Sequence, residues 1–188
     1  TAQALLCVTS KPQLDIKKRM MCYFHATPNK QWVILGSISS AGILLRWLRD
    51  NFCTSEIETS KNLRINPYEI LDKEAETVEP GSEGLLFLPY FADSKGTIFG
   101  LSLKHDKRHL IRAILEGIGF EIRKMLEILE ELGIDVKEVR MAGGGAKSSI
   151  WREIISNITN KKIVLPKVEE AASLGAAILA GVGTKVYR

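Results

Sequence analysis

Apolar and polar positions along the 188 residues fall first into short runs and then into helical spacings. Ala4-Leu5-Leu6-Cys7-Val8, residues 20–25 and Trp32-Val33-Ile34-Leu35 are strand-like runs, separated by turn residues around Ser10-Lys11-Pro12 and at Thr27-Pro28-Asn29. Their close spacing predicts an antiparallel meander. Ser39 or Ser40 then reads as the N-cap of a helix over residues 41–50, with Leu44, Leu45, Trp47 and Leu48 suited to a buried face. A short acidic helix is predicted over 66–78. Residues 79–84 read as a loop, 85–90 as a buried strand stopped at Pro89, and 91–103 as irregular chain. Leu110, Ile114, Ile118, Ile122, Met125 and Leu129 recur at helical spacing, which predicts one long helix from about Asp106 to Leu132, closed by Gly133. Strand 136–141, helix 149–159, strand 163–165 and helix 171–180 complete the pattern.

Strands first and alternating strands and helices afterwards predict an α/β protein, a mixed sheet with helices on both faces. Three strands followed by αβαβα is also the order of the ribonuclease-H-like unit of actin-like ATPases, an analogy at the level of fold. With 45% hydrophobic and 26% charged residues the chain is of globular type and long enough to bury a core. Its net charge of +4 comes without an arginine stripe or interleaved aromatics, so nucleic acid is not an expected partner. Cys7, Cys22 and Cys53 form no CxxC pair, which predicts reduced thiols and a cytoplasmic protein rather than a disulfide frame or zinc site. His25, His105 and His109 lack metal-ligand spacing, and a core or surface role is expected for each. No apolar run approaches the roughly 18 residues of a membrane span.

Candidate chemistry gathers at Gly143-Gly144-Gly145, between the apolar Val139 and Met141 and a helix pattern carrying Ile150, Trp151, Ile154, Ile155 and Ile158. Strand, glycine turn and helix start bring bare backbone up to an anion, which the helix N-terminus favours. Alone, the triplet reads equally as a plain turn into a helix. Spacing excludes two phosphate loops: Ala146 precedes Lys147-Ser148 where a Walker A loop needs glycine, and Ser148 occupies the sixth position of a dinucleotide fingerprint. Gly42, in the first turn of its predicted helix, is a poor helix former, read either as close packing or as a place for ligand approach. Arg46 follows at i+4, on the same face.

Gly96-Thr97-Ile98-Phe99-Gly100-Leu101, with His109-Leu110 and Ala113-Ile114-Leu115-Glu116 downstream, resembles the second signature of the FGGY carbohydrate kinases. Ser40-Ala41-Gly42 with Arg46-Trp47-Leu48-Arg49-Asp50 resembles the family's helix before its adenine site. Gly143 to Ser148 resembles the xylulose-kinase form of its glycine loop, and Glu170-Ala171-Ala172-Ser173-Leu174-Gly175-Ala176-Ala177 its C-terminal helix motif. The resemblance covers residues 1–188 as a C-terminal lobe, and it is strongest to xylulose kinases. It implies an ATP-binding half of a sugar kinase, with a small-molecule sugar held by an N-terminal lobe that is not in this chain and a ketopentose such as D-xylulose as acceptor. The general-base aspartate is expected upstream of Thr1, so no catalytic residue is assigned here and the fragment alone is expected to be inactive. ATP contacts are implied for Thr1, Gly42, Arg46, Gly143, Gly144, Gly145, Ser148 and Ser149, with the glycine loop facing the Gly42/Arg46 surface across a cleft. Mg²⁺ is implied with ATP, without dedicated ligands in this chain.

Two departures accompany the likeness: Ala2-Gln3 stand where many members have Ser-Gly, and Asn157 where the family usually has aspartate. They favour an alternative, a non-catalytic nucleotide-binding module of the actin-like fold. A homodimer is left open. Glu116 is read as a structural hydrogen-bonding group, Trp47 and Trp151 as core, Lys147 as solvated or phosphate-proximal, and Asp93 and Asp106 as loop and helix-start residues. An exposed apolar face is expected where the second lobe would dock.

Overall fold

Continuous runs of β-branched, aromatic and long apolar side chains make the first three segments strands: β1 (Gln3–Thr9), β2 (Met21–Phe24) and β3 (Trp32–Ile38). The protein is seen here as a computed structural model that describes residues 2–27, 30–91 and 95–187. Thr1 and Asp93, and part of the turn at Thr27-Pro28-Asn29, lie outside the described residues. All three strands pair antiparallel, but in the order β1-β3-β2, with Leu6 opposite Leu35 on one side and Met21 opposite Leu35 on the other. This corrects the meander. The long connection over residues 10–20 carries β2 to the far edge of β3. Asp15 holds that connection by accepting from the Arg19 amide at 2.6 Å, and Arg19 reaches Glu131 at 2.7 Å.

Helices follow at α1 (Gly42–Phe52), α2 (Thr54–Leu63) and α3 (Pro67–Glu76). The cap of α1 is Ala41 rather than Ser39 or Ser40, and Ser40 is buried in the core one residue too early. Sequence periodicity misses α2 because the residues it buries are Glu56 and Ser60, not an apolar stripe. Asn66 caps α3 through a reciprocal box with Glu69. Next, β4 (Leu86–Leu88) pairs with β5 (Thr97–Phe99), a short strand inside the stretch expected to be irregular.

The organising element is α4 (Lys107–Glu131), capped by Asp106 and closed by Gly133 at φ +79°. Ile111, Ile114, Ile118 and Ile122 are fully buried along it, and each such side chain contributes about 1.5–3 kcal/mol. Glycine at 117 is a matter of space: a Cβ there would lie 2.2 Å from the Phe87 carbonyl oxygen, so α4 rests directly on the β4 backbone. Buried Glu116 accepts from the Gly81 amide at 2.9 Å, the Ser82 hydroxyl at 2.9 Å and Arg112 Nε at 2.8 Å, the structural role read for it. Then come β6 (Glu138–Arg140), α5 (Ser149–Thr159), β7 (Lys162–Val164) and α6 (Ala171–Gly183), with β6 and β7 parallel.

Strands thus fall into three separately bonded sheets. Leu5 and Cys7 turn one face of the antiparallel sheet to the core, whereas Leu6, Val8, Met21 and Tyr23 leave its other face about half exposed. Helix α6 buries none of its residues, although Leu174, Ile178, Leu179 and Val182 are apolar. The expected exposed apolar surface is therefore present. Trp151 is core as predicted. Trp47 is not: it is 37% exposed, with ring centres 5.4 Å from both Phe52 and Phe91. No helix among the described residues is long and apolar enough to cross a membrane.

Candidate functional site

The glycine loop starts where the parallel pair stops. Met141 donates its amide to the Val164 carbonyl at 2.9 Å, and the chain then turns at Gly143, whose φ of +85° and ψ of −173° belong to a region essentially closed to other residues. A 3₁₀ turn over Gly144–Lys147 leads into α5. The three glycines have three different reasons. Gly143 is required by conformation. Gly145 is required by packing, since a Cβ there would lie 2.6 Å from Cζ3 of Trp151. Gly144 is required by neither: its φ is not positive, and an added Cβ would meet nothing within 4 Å. An added side chain there would project into open space.

Ser148 is the N-cap of α5, its hydroxyl oxygen accepting from the Trp151 amide at 3.1 Å. Burial pushes the pKa of the Asp72 carboxyl on α3 up, and its interaction with the Ser148 hydroxyl opposes the rise. Ser148 therefore has structural partners already, while Ser149 is exposed in the first turn of α5. Arg152 Nη1 ties down the turn by donating to the Ala146 carbonyl at 2.5 Å. Beneath the loop the indole N–H of Trp151 is buried without a partner among the described residues, an arrangement that ordinarily calls for a water or ligand. Lys147 is solvated as read, 69% exposed, and pairs with Glu169 at 2.8 Å. No acidic side chain occupies the first turn of α5, and its positive dipole end favours an anion beside the Trp151 amide that Ser148 already takes.

Gly42 opens α1, whose start has no side-chain cap and, like that of α5, no acid in its first turn. Arg46 is exposed, with no ion pair among the described residues. Packing relates this patch to the loop through neighbouring helices: α1 on α2 and α4, α3 on α2 and α5, the glycine turn on α5. Neither patch lines the groove between β1 and β6 or the one between α4 and the end of α5. Thr1 lies outside the described residues. Asp72 was missed by sequence reasoning, since nothing local to an acidic helix marks the one carboxyl that reaches a loop more than seventy residues away.

Among the described residues no three His, Cys, Asp or Glu side chains are grouped to hold a metal ion. His109 is buried at the start of α4, with Nδ1 2.9 Å from Asp106, and its ring centre lies 5.3 Å from that of His105. Cys7, Cys22 and Cys53 are free. Burial raises the Cys53 thiol to about 11, so it stays protonated.

Comparison with known proteins bears on this geometry. Residues 1–184 match the FGGY family of carbohydrate kinases, C-terminal domain. A gluconokinase from Bacillus subtilis is 42% identical over 189 residues, covering 95% of this chain and 36% of that protein. A xylulose kinase from Staphylococcus epidermidis is 32% identical over 193 residues, covering 97% of this chain and 36% of that protein. Among solved structures, Plasmodium falciparum glycerol kinase with ADP superposes with a TM-score of 0.78 at 27% identity, covering 98% of this chain and 37% of that one. The chain spans about a third of the length of the relatives it matches. It belongs to the FGGY family of carbohydrate kinases, and the part of the family that it matches is the C-terminal domain.

Proposed function

We propose that this chain is the nucleotide-holding lobe of a cytoplasmic, ATP-dependent carbohydrate kinase, in which a companion lobe binds the sugar and supplies the general base. The observation that carries the reading is Gly144, bare for no conformational or packing reason, beside the N-terminus of α5. Phosphoryl transfer asks a protein mainly for positioning and charge stabilisation, which backbone N–H groups at such a loop can give. Gly143, Gly144 and Gly145 shape the surface, Ser149 adds an exposed hydroxyl, and Ser148 holds the helix start in place. Gly42 and Arg46 offer a helix start without a side-chain cap and a cation for the rest of the nucleotide, and Thr1 is assigned a phosphate oxygen in the same reading. Mg²⁺ would come with the nucleotide, held by phosphate oxygens and water. For the acceptor, likeness to a gluconokinase at 42% against a xylulose kinase at 32% favours a sugar acid such as gluconate over the ketopentose D-xylulose.

Titration of the chain with ATP-Mg²⁺ by calorimetry tests the nucleotide half. Gly144→Val should weaken binding at least about tenfold, roughly 1.4 kcal/mol. Equal heats from both proteins would overturn the reading. Sugar-dependent ADP release by the chain joined to its companion lobe tests the rest, with gluconate expected to exceed D-xylulose. Nucleotide binding without release on either sugar would favour the non-catalytic module suggested by Ala2-Gln3 and Asn157.

A further inference from the structure

Where α2, α3 and α4 meet, one polar side chain from each helix enters a shared, largely buried spot: Glu56, Glu74 and Lys107. Lys107 Nζ pairs with Glu56 Oε1, and the Ser55 hydroxyl donates to Glu56 Oε2 at 3.1 Å. The Glu56 side chain is only 8% exposed. Glu74 comes up beside it from α3, and its Oε2 is buried with no hydrogen-bond donor among the described residues.

A buried carboxylate oxygen that accepts from nothing is costly. Protonation removes that cost, because the Glu74 O–H becomes a donor and the neighbouring Glu56 carboxylate accepts it. Two carboxyls side by side repel when both ionise, and one proton held between them resolves the conflict. The charges around the pair fit this assignment. Lys107 and Arg108 face it from the start of α4, and Arg108 is already taken by Asp106 at 2.6 Å. Ahead of α2, Cys53 stays a thiol, with Arg49 of α1 beyond it. One ammonium therefore serves two carboxyls. Burial, together with the Glu56 charge, raises the Glu74 carboxyl against the pull of Lys107. Against its own burial, the bond from Lys107 holds the Glu56 carboxyl below its usual range. One partner is kept as the acid and the other as the carboxylate.

We propose that Glu74 and Glu56 share one proton beside Lys107, and that this pair is a pH-sensitive latch fastening α3 to α2 and α4. The latch stands apart from the nucleotide reading. As pH rises through the folded value of Glu74 the proton leaves, two carboxylates face one ammonium, and α3 is pushed from α2. A raised carboxyl adds stability that is complete below the unfolded value of about 4.3 and is lost as pH rises through the folded one. Glu56, held low, acts in the opposite sense, and only as pH falls.

Infrared spectroscopy of the chain tests the pair directly. A protonated-carboxyl band should persist above about pH 6, where ordinary carboxyls are ionised. It should vanish in Glu74→Gln, and also in Glu56→Gln, which hands Lys107 to Glu74. No such band in the unaltered chain would mean that a water serves Glu74 Oε2 instead, and would overturn the proposal even where a variant fails to fold. A band that survives Glu56→Gln would overturn it too, since burial alone would then hold the proton. Melting temperature supplies the second reading. Glu74→Gln keeps an N–H donor that does not titrate, so its melting temperature should exceed that of the unaltered chain by a margin that widens to several degrees as pH rises above about 6. Parallel curves would refute the latch.

Discussion

Three adjacent glycines in three different situations show how a residue type can be read for purpose. Gly143 answers to the backbone, Gly145 to Trp151 and Gly144 to neither. The sequence displays all three alike, so the glycine turn into a helix was legible while the division of labour within it was not. Asp106 shows the opposite: its position before a long apolar stripe marked it as a helix start, and it is one. Hydrogen bonds from Arg108 first, and from His109, hold its carboxyl well below the usual range. A depressed carboxyl stabilises the fold above the unfolded value of about 4, and that stability drains away as pH falls toward the folded value. Asp106→Asn, which keeps a good N-cap, is therefore expected to flatten the fall of melting temperature between about pH 5 and pH 2. Thermal unfolding followed by circular dichroism across that range checks it, and parallel curves for the two proteins would refute it.

At the scale of elements, the join between β6 and α5 has the least freedom in the site. Gly143→Ala should cost about 1–3 kcal/mol, because alanine must hold a backbone conformation that only glycine adopts without strain. The measure is a lower urea midpoint at unchanged slope. Helix α5 was legible from the spacing of Ile150, Trp151, Ile154 and Ile155, and its Ser148 cap was seen only in the structure. Helix α2 was not, since a helix that buries Glu56 and Ser60 has no periodic apolar signal. Strand pairing was legible only in part. Apolar runs identified three strands, but which of them stands in the middle depends on where a long connection crosses, and local pattern carries no record of that.

For the whole molecule, the class of fold and its likeness to two-lobed kinases could be read from scattered motifs, whereas the groove between β1 and β6 and the bare outer face could not, being properties of elements brought together from distant parts of the chain. One helix does most of that gathering: α4 packs against β3, β4, α1, α3 and α5. An arrangement with a single shared spine has no independent halves that could melt in turn. Heating should therefore give one calorimetric peak whose van't Hoff enthalpy equals the calorimetric one, and removing α6, which leans on nothing buried, should leave that peak nearly where it was.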